Sequence, residues 1–93
     1  MKVYLTDVNE LCAENEVGTL EKCKEAVSKI KDEIPNARFG YNGYNYDNWG
    51  EFPKGCFLFV WDGVNKDKLY FNEHPTGSSS EGARHVCEYT GNK

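Results

Sequence analysis

The densest apolar run in the chain, Cys-Phe-Leu-Phe-Val-Trp over residues 56–61, carries no charge and is too short and too rich in Phe and Val for a helix. It predicts a mostly buried strand. Side chains alternate across a strand, so Cys56, Leu58 and Val60 fall on one aliphatic face, and Phe57, Phe59 and Trp61 on an aromatic one. Asp62-Gly63 supplies turn chemistry, and Lys-Leu-Tyr-Phe-Asn over 68–72 answers as the second strand of a hairpin.

A second pattern has the helical period. Leu20, Cys23, Val27, Ile30 and Ile34 follow one another at steps of three and four, one stripe of a helix predicted over 19–34. Thr19 is the expected N-cap, Glu21 lies where the macrodipole favours an anion, Lys29 and Lys31 lie near the other end, and Pro35 stops the run. Charged positions such as Lys22, Glu25 and Asp32 form the solvated face. Short strands are expected at 2–6 and 83–89, with a polar stretch over 7–18 that needs Cys12 tied down to stay ordered. Residues 73–82, with His-Pro-Thr-Gly and three serines, read as a turn-rich linker.

Between helix and hairpin, residues 36–52 mix Tyr, Trp, Gly and Asn. Phe39 and Tyr41 suit strands and Asn42-Gly43 is a hairpin turn dipeptide. Rigid amphipathic rings among small polar residues are also what binding loops use, because the rings give contact area at low entropic cost. Tyr41, Tyr44, Tyr46 and Trp49 are therefore the candidate ligand-binding residues. The competing reading makes the same rings filling for a small core.

Ninety-three residues form one domain, of a size at which covalent staples commonly supplement the core. The four cysteines, at 12, 23, 56 and 87, lack the close pairs of a zinc site and predict two disulfides, hence an extracellular, secreted or surface setting. Cys23 lies on the core-facing helical stripe and Cys56 heads the aliphatic strand face, so those two pair and Cys12 joins Cys87. Met1 to Leu11 carries Lys2, Asp7 and Glu10, which leaves no apolar signal segment and suggests a mature or excised domain. No run is long enough to span a bilayer. With 11 basic residues dispersed among 15 acidic ones and a net charge of −4, nucleic acid is not an expected partner.

The segments Glu21-Lys-Cys-Lys-Glu-Ala, Phe52-Pro-Lys-Gly-Cys-Phe, Tyr70-Phe-Asn, His74-Pro-Thr-Gly-Ser and Ala83-Arg-His-Val-Cys together resemble a small cysteine-containing module recurrent in proteins of marine algae and other protists. The likeness covers about the last three quarters of the chain. It implies an extracellular disulfide module whose variable stretch, here 41–49, holds the binding specificity, and it implies no chemistry.

Catalytic and metal signatures are weak. His74 and His85, with Glu73, Glu81 or Asp67, lack helical or finger spacing for a metal. Asp62, Asn65 and Asp67 lack the distal Glu of a calcium loop. Ser78 to Ser80 sit in no nucleophile elbow, and an even cysteine count leaves no free thiol for His85. The expectation is an α+β domain, one amphipathic helix on a small antiparallel sheet of three to five strands, with no enzymatic activity and no cofactor. It would bind a glycan or protein through its aromatic surface. The alternative is a self-associating structural unit of an extracellular matrix or coat, of unspecified oligomeric state.

Overall fold

The computed structural model describes residues 2–40 and 49–89. The elements are β1 (Val3–Val8), β2 (Asn15–Glu16), α1 (Leu20–Lys29), β3 (Arg38–Phe39), β4 (Pro53–Phe59), β5 (Lys68–Gly77) and β6 (Ala83–Glu88). One helix lies on a six-stranded sheet of order β1-β6-β4-β5-β3, with β2 added to the end of β6. The α+β architecture expected from the sequence is present.

The two faces of β4 divide as its alternation dictates. Cys56 and Leu58 join Leu69, Phe71 and Val86 beneath Cys23, Ala26 and Ile30 of the helix, forming the inner core. Phe57 and Tyr70 form a second buried cluster with Ala83 on the outer face. Cys23–Cys56 and Cys12–Cys87 are the two disulfides, and no cysteine is free. The first bolts helix to sheet on the inner face. On β6, Val86 packs into the inner core and Ala83 into the outer cluster, and alternation along the strand puts Cys87 with Ala83. The second disulfide therefore lies outside.

Several elements differ from the sequence reading. The helix ends at Lys29, with Ile30 as cap, not at Ile34. Pro35 bars its predecessor from the helical region, and Asp32 and Glu33 would sit at the negative pole of the macrodipole, so the chain turns there instead. Ile34 still reaches the inner core. Thr19 does cap the start, its hydroxyl accepting from the Lys22 N–H.

The sheet is mixed, because β3 runs parallel to β5 with Arg38 opposite Lys68. The β4–β5 connection is no two-residue turn but the loop 60–67, whose carbonyls at Val64 and Lys66 accept from the Arg38 guanidinium. Nor is 73–82 a linker throughout, since β5 continues to Gly77 and pairs it with Pro53. Between the Gly55–Asn72 and Pro53–Gly77 pairs β5 carries extra residues, and this bulge is closed by the His74 ring: its Nδ1 accepts from the Gly77 N–H at 2.8 Å and the Thr76 N–H at 3.2 Å. Gly55, at φ +79°, makes the matching adjustment on β4, with Val17 O 2.7 Å from where a Cβ would stand.

Candidate functional site

The helix covers only the inner face, so the outer face must be closed by chain segments and by its own rings. Two parts of it are distinct. Over β6, residues 9–14 form a strap. The amide of Asn9 donates to Ala83 O at one end, Asn15 and Glu16 pair with β6 at the other, and Cys12 is fastened between them. Over β4 and β5 the cover is aromatic.

In that aromatic part Phe57 and Tyr70 lie side by side on adjacent strands, with ring centroids 5.8 Å apart. Phe52 stacks on Phe57 at 5.2 Å. Trp49 meets Phe52, Phe57 and Tyr70 edge-on at 6.0, 5.9 and 5.4 Å. Such tilted contacts set positive ring edges against negative ring faces, each worth about 0.5–1.5 kcal/mol beyond area burial. Tyr70 is nearly buried, and burial pushes its hydroxyl pKa up, against the opposing pull of Arg38. The row continues through Phe59 to Trp61, which meets Phe59 at 5.7 Å and Phe52 at 6.2 Å. The Trp61 indole rests on Gly82, where a Cβ would come within 2.7 Å of the ring.

Asn72 positions the segment that carries Trp49 and Phe52. Its side chain is 1% exposed and lies beside Gly55 on the strand pair. Its Oδ1 accepts from the amides of Trp49 and His74, both at 3.1 Å. Its Nδ2 donates to the carbonyls of Trp49 at 2.7 Å, Phe52 at 3.1 Å and Pro53 at 3.0 Å. One amide side chain thus satisfies both backbone groups of Trp49 and ties residues 49–53 to β5. No strand or helix pairing could do so, because this segment is a turn.

Of the residues expected to bind ligand, Tyr41, Tyr44 and Tyr46 lie outside the described residues. Trp49 is half-buried in the outer cluster, not standing clear of it, because Asn72 draws its backbone onto the sheet. Trp61, placed by the alternation on the aromatic face of a mostly buried strand, is 50% exposed: β4 ends at Phe59 and the strand alternation no longer turns Trp61 into the sheet. The sequence reading does not single out Asn72 as a positioning residue. An Asn closing a Tyr-Phe run, followed by the His-Pro-Thr-Gly turn composition, is the available signal.

His85 lies under the strap, 3% exposed. Its Nδ1 accepts from the Cys12 amide at 3.0 Å and its Nε2–H donates to Lys54 O at 2.6 Å. Burial pushes its pKa below the ordinary 6.5, opposed by the Lys54 carbonyl and by the nearby Glu16 carboxylate. His74 has separate partners in the β5 bulge, and no group of three or more metal-capable side chains occurs among the described residues. No helix among them is long and apolar enough to cross a membrane. At the N-terminal end of α1 an open hollow of about 410 Å³ includes Glu16 and Glu88, already paired with Lys54 at 3.7 Å and Lys22 at 3.4 Å. No protein-family model, curated protein or solved structure matches this chain.

Proposed function

We propose that this chain is a non-enzymatic extracellular recognition module that takes a glycan or protein ligand on the aromatic part of its outer face. The observation that carries the reading is the half-exposed Trp61, which rests on Gly82 and continues a row of rings through Phe59 and Phe52. A large ring held in place before any ligand arrives loses little entropy on binding, and its apolar surface is the main source of affinity in such contacts. The two disulfides suit an oxidising compartment, which supports the extracellular setting. Membership of the recurrent module of algae and protists belongs to the same proposal.

A glycan array and a pull-down from extracellular material, each run with the parent and with Trp61→Ala, test the reading. Capture by the parent and its loss in a variant that is still fully folded at the assay temperature is the expected result. Equal capture by the two proteins would remove Trp61 from the site. Sedimentation of the parent as a concentration-dependent oligomer that Trp61→Ala dissolves would move the face to self-association, the role of a matrix or coat unit.

A further inference from the structure

The contacts of His85 are possible for only one protonation state of its ring. Nδ1 receives the Cys12 N–H, so it must carry a lone pair; Nε2 faces the Lys54 carbonyl, so it must carry the proton. The ring is therefore neutral, and a second proton would set two N–H groups against each other at Nδ1. Its own amide is held as well, donating to Thr6 Oγ1 at 2.8 Å. The backbone of His85 cannot easily retreat from that collision, so the movable partner is the strap.

The strap is fastened at its ends and at Cys12. Its ends are anchored by Asn9 to Ala83 and by Val17 to Val86, and Cys12 between them is held to the sheet twice, through its amide and through its sulfur. Losing the amide bond leaves Cys12 on its disulfide, with the Glu10 carbonyl still accepting from the Thr6 hydroxyl at 3.2 Å. We propose that His85 is an acid-released latch: protonation of its ring frees the Cys12 amide and lets residues 11–13 lift about the Cys12–Cys87 bond, wetting the β6 part of the outer face.

The charged groups of the surrounding elements set where this happens. On β4 the Lys54 carbonyl and on β2 the Glu16 carboxylate favour the imidazolium, and the Lys54 ammonium lies 3.7 Å from that carboxylate. The strap contributes Glu10 and Glu14, and β1 contributes Asp7. On β6 itself Arg84 and Glu88 pair with Glu33 and Lys22 on the helix side, away from the ring. Burial outweighs these and keeps the closed-state pKa below 6.5. The lifted state, with a solvated ring, binds the proton more tightly, so the latch is closed above pH 6.5 and opens as pH falls toward the closed-state value.

Amide exchange read by NMR between pH 7.5 and 4.5, corrected for intrinsic rates, tests this on the intact oxidised chain. The opening constant at Cys12 should rise about tenfold for each pH unit between 6.5 and the closed-state midpoint and then level off, following the His85 ring shifts. Protection at Val17 and Leu69 should hold. His85→Gln, whose amide can accept from Cys12 and donate to Lys54, should keep the strap protected and abolish the pH dependence. Glu16→Gln should move the midpoint to lower pH, which a merely structural His85 would not produce. A Cys12 amide that stays protected while His85 titrates overturns the proposal, as does simultaneous loss of protection at Leu69, which would be global acid unfolding.

Discussion

Replacing Asn72 by Ala removes five hydrogen bonds at a site 1% exposed. Two hydrogens on Nδ2 serve three carbonyls, so the set amounts to about four full bonds, each worth roughly 1 kcal/mol net. The groups left behind differ. The Pro53 carbonyl bond is wholly buried, and a buried group without a partner costs about 1–3 kcal/mol; the bonds to Trp49, Phe52 and His74 are part-buried, and those groups recover some water. The expected loss is about 3–4 kcal/mol, a large share of the ~5–15 kcal/mol that stabilises a domain of this size. Asn72→Asp, nearly isosteric, should be at least as damaging, because a carboxylate oxygen would face three carbonyls. Chemical denaturation of the three proteins, with Trp fluorescence reporting the outer cluster, measures both. A loss under 1 kcal/mol for Asn72→Ala would show that the turn at 49–52 holds itself and that Asn72 positions nothing.

The remaining expectations follow from single contacts. Trp49→Ala should cost about 2–4 kcal/mol, as for other large rings taken from a packed cluster, whereas the half-exposed Trp61 should cost about half as much; equal losses in thermal melts would refute the difference in burial. Gly55→Ala should destabilise by about 2 kcal/mol or more, since it combines a positive φ with a Cβ pressed on Val17 O, and an unchanged denaturation midpoint would count against the bulge. Thr19→Ala should cost about 1 kcal/mol with loss of helical ellipticity, and no change would mean the cap is redundant.

How far the sequence reached depended on whether a residue's surroundings were local. The alternation of residues 56–61 and the stripe through Leu20, Cys23 and Ile30 each name a buried face by themselves, and from those two faces the Cys23–Cys56 pair follows, with Cys12–Cys87 left over. The parallel pairing of β3 has no such signal, because two residues carry no period and the direction comes from where α1 delivers the chain. The same holds for the length of β5. His74-Pro-Thr-Gly has the composition of a loop, and only the ring of His74, folded back on two amides, makes it a bulge within a strand. At the candidate site the burial of the two tryptophans was hidden for a related reason. Trp49 has turn-like neighbours but is pulled inward by Asn72 from 23 positions away, and Trp61 continues a strand pattern that the backbone abandons two residues earlier.

The two disulfides serve unequal faces. On the inner face Cys23 and Cys56 are both fully buried among aliphatic side chains, so their bond adds to a layer that the helix would cover in any case. On the outer face no second helix exists among the described residues, and the strap is polar, with few apolar groups to hold it down. There the Cys12–Cys87 bond fastens a cover that burial alone would not retain, over a separation of 75 residues, for which loop entropy gives about 4–5 kcal/mol. The inner staple, over 33 residues, gives about 4 kcal/mol in the same treatment. A face closed by a tethered strap on one side and by rings on the other can remain open at its far end. Trp61 rests there on Gly82, next to Ala83 whose carbonyl anchors the strap at Asn9, so the feature proposed to bind adjoins one anchor of the feature proposed to respond to acid.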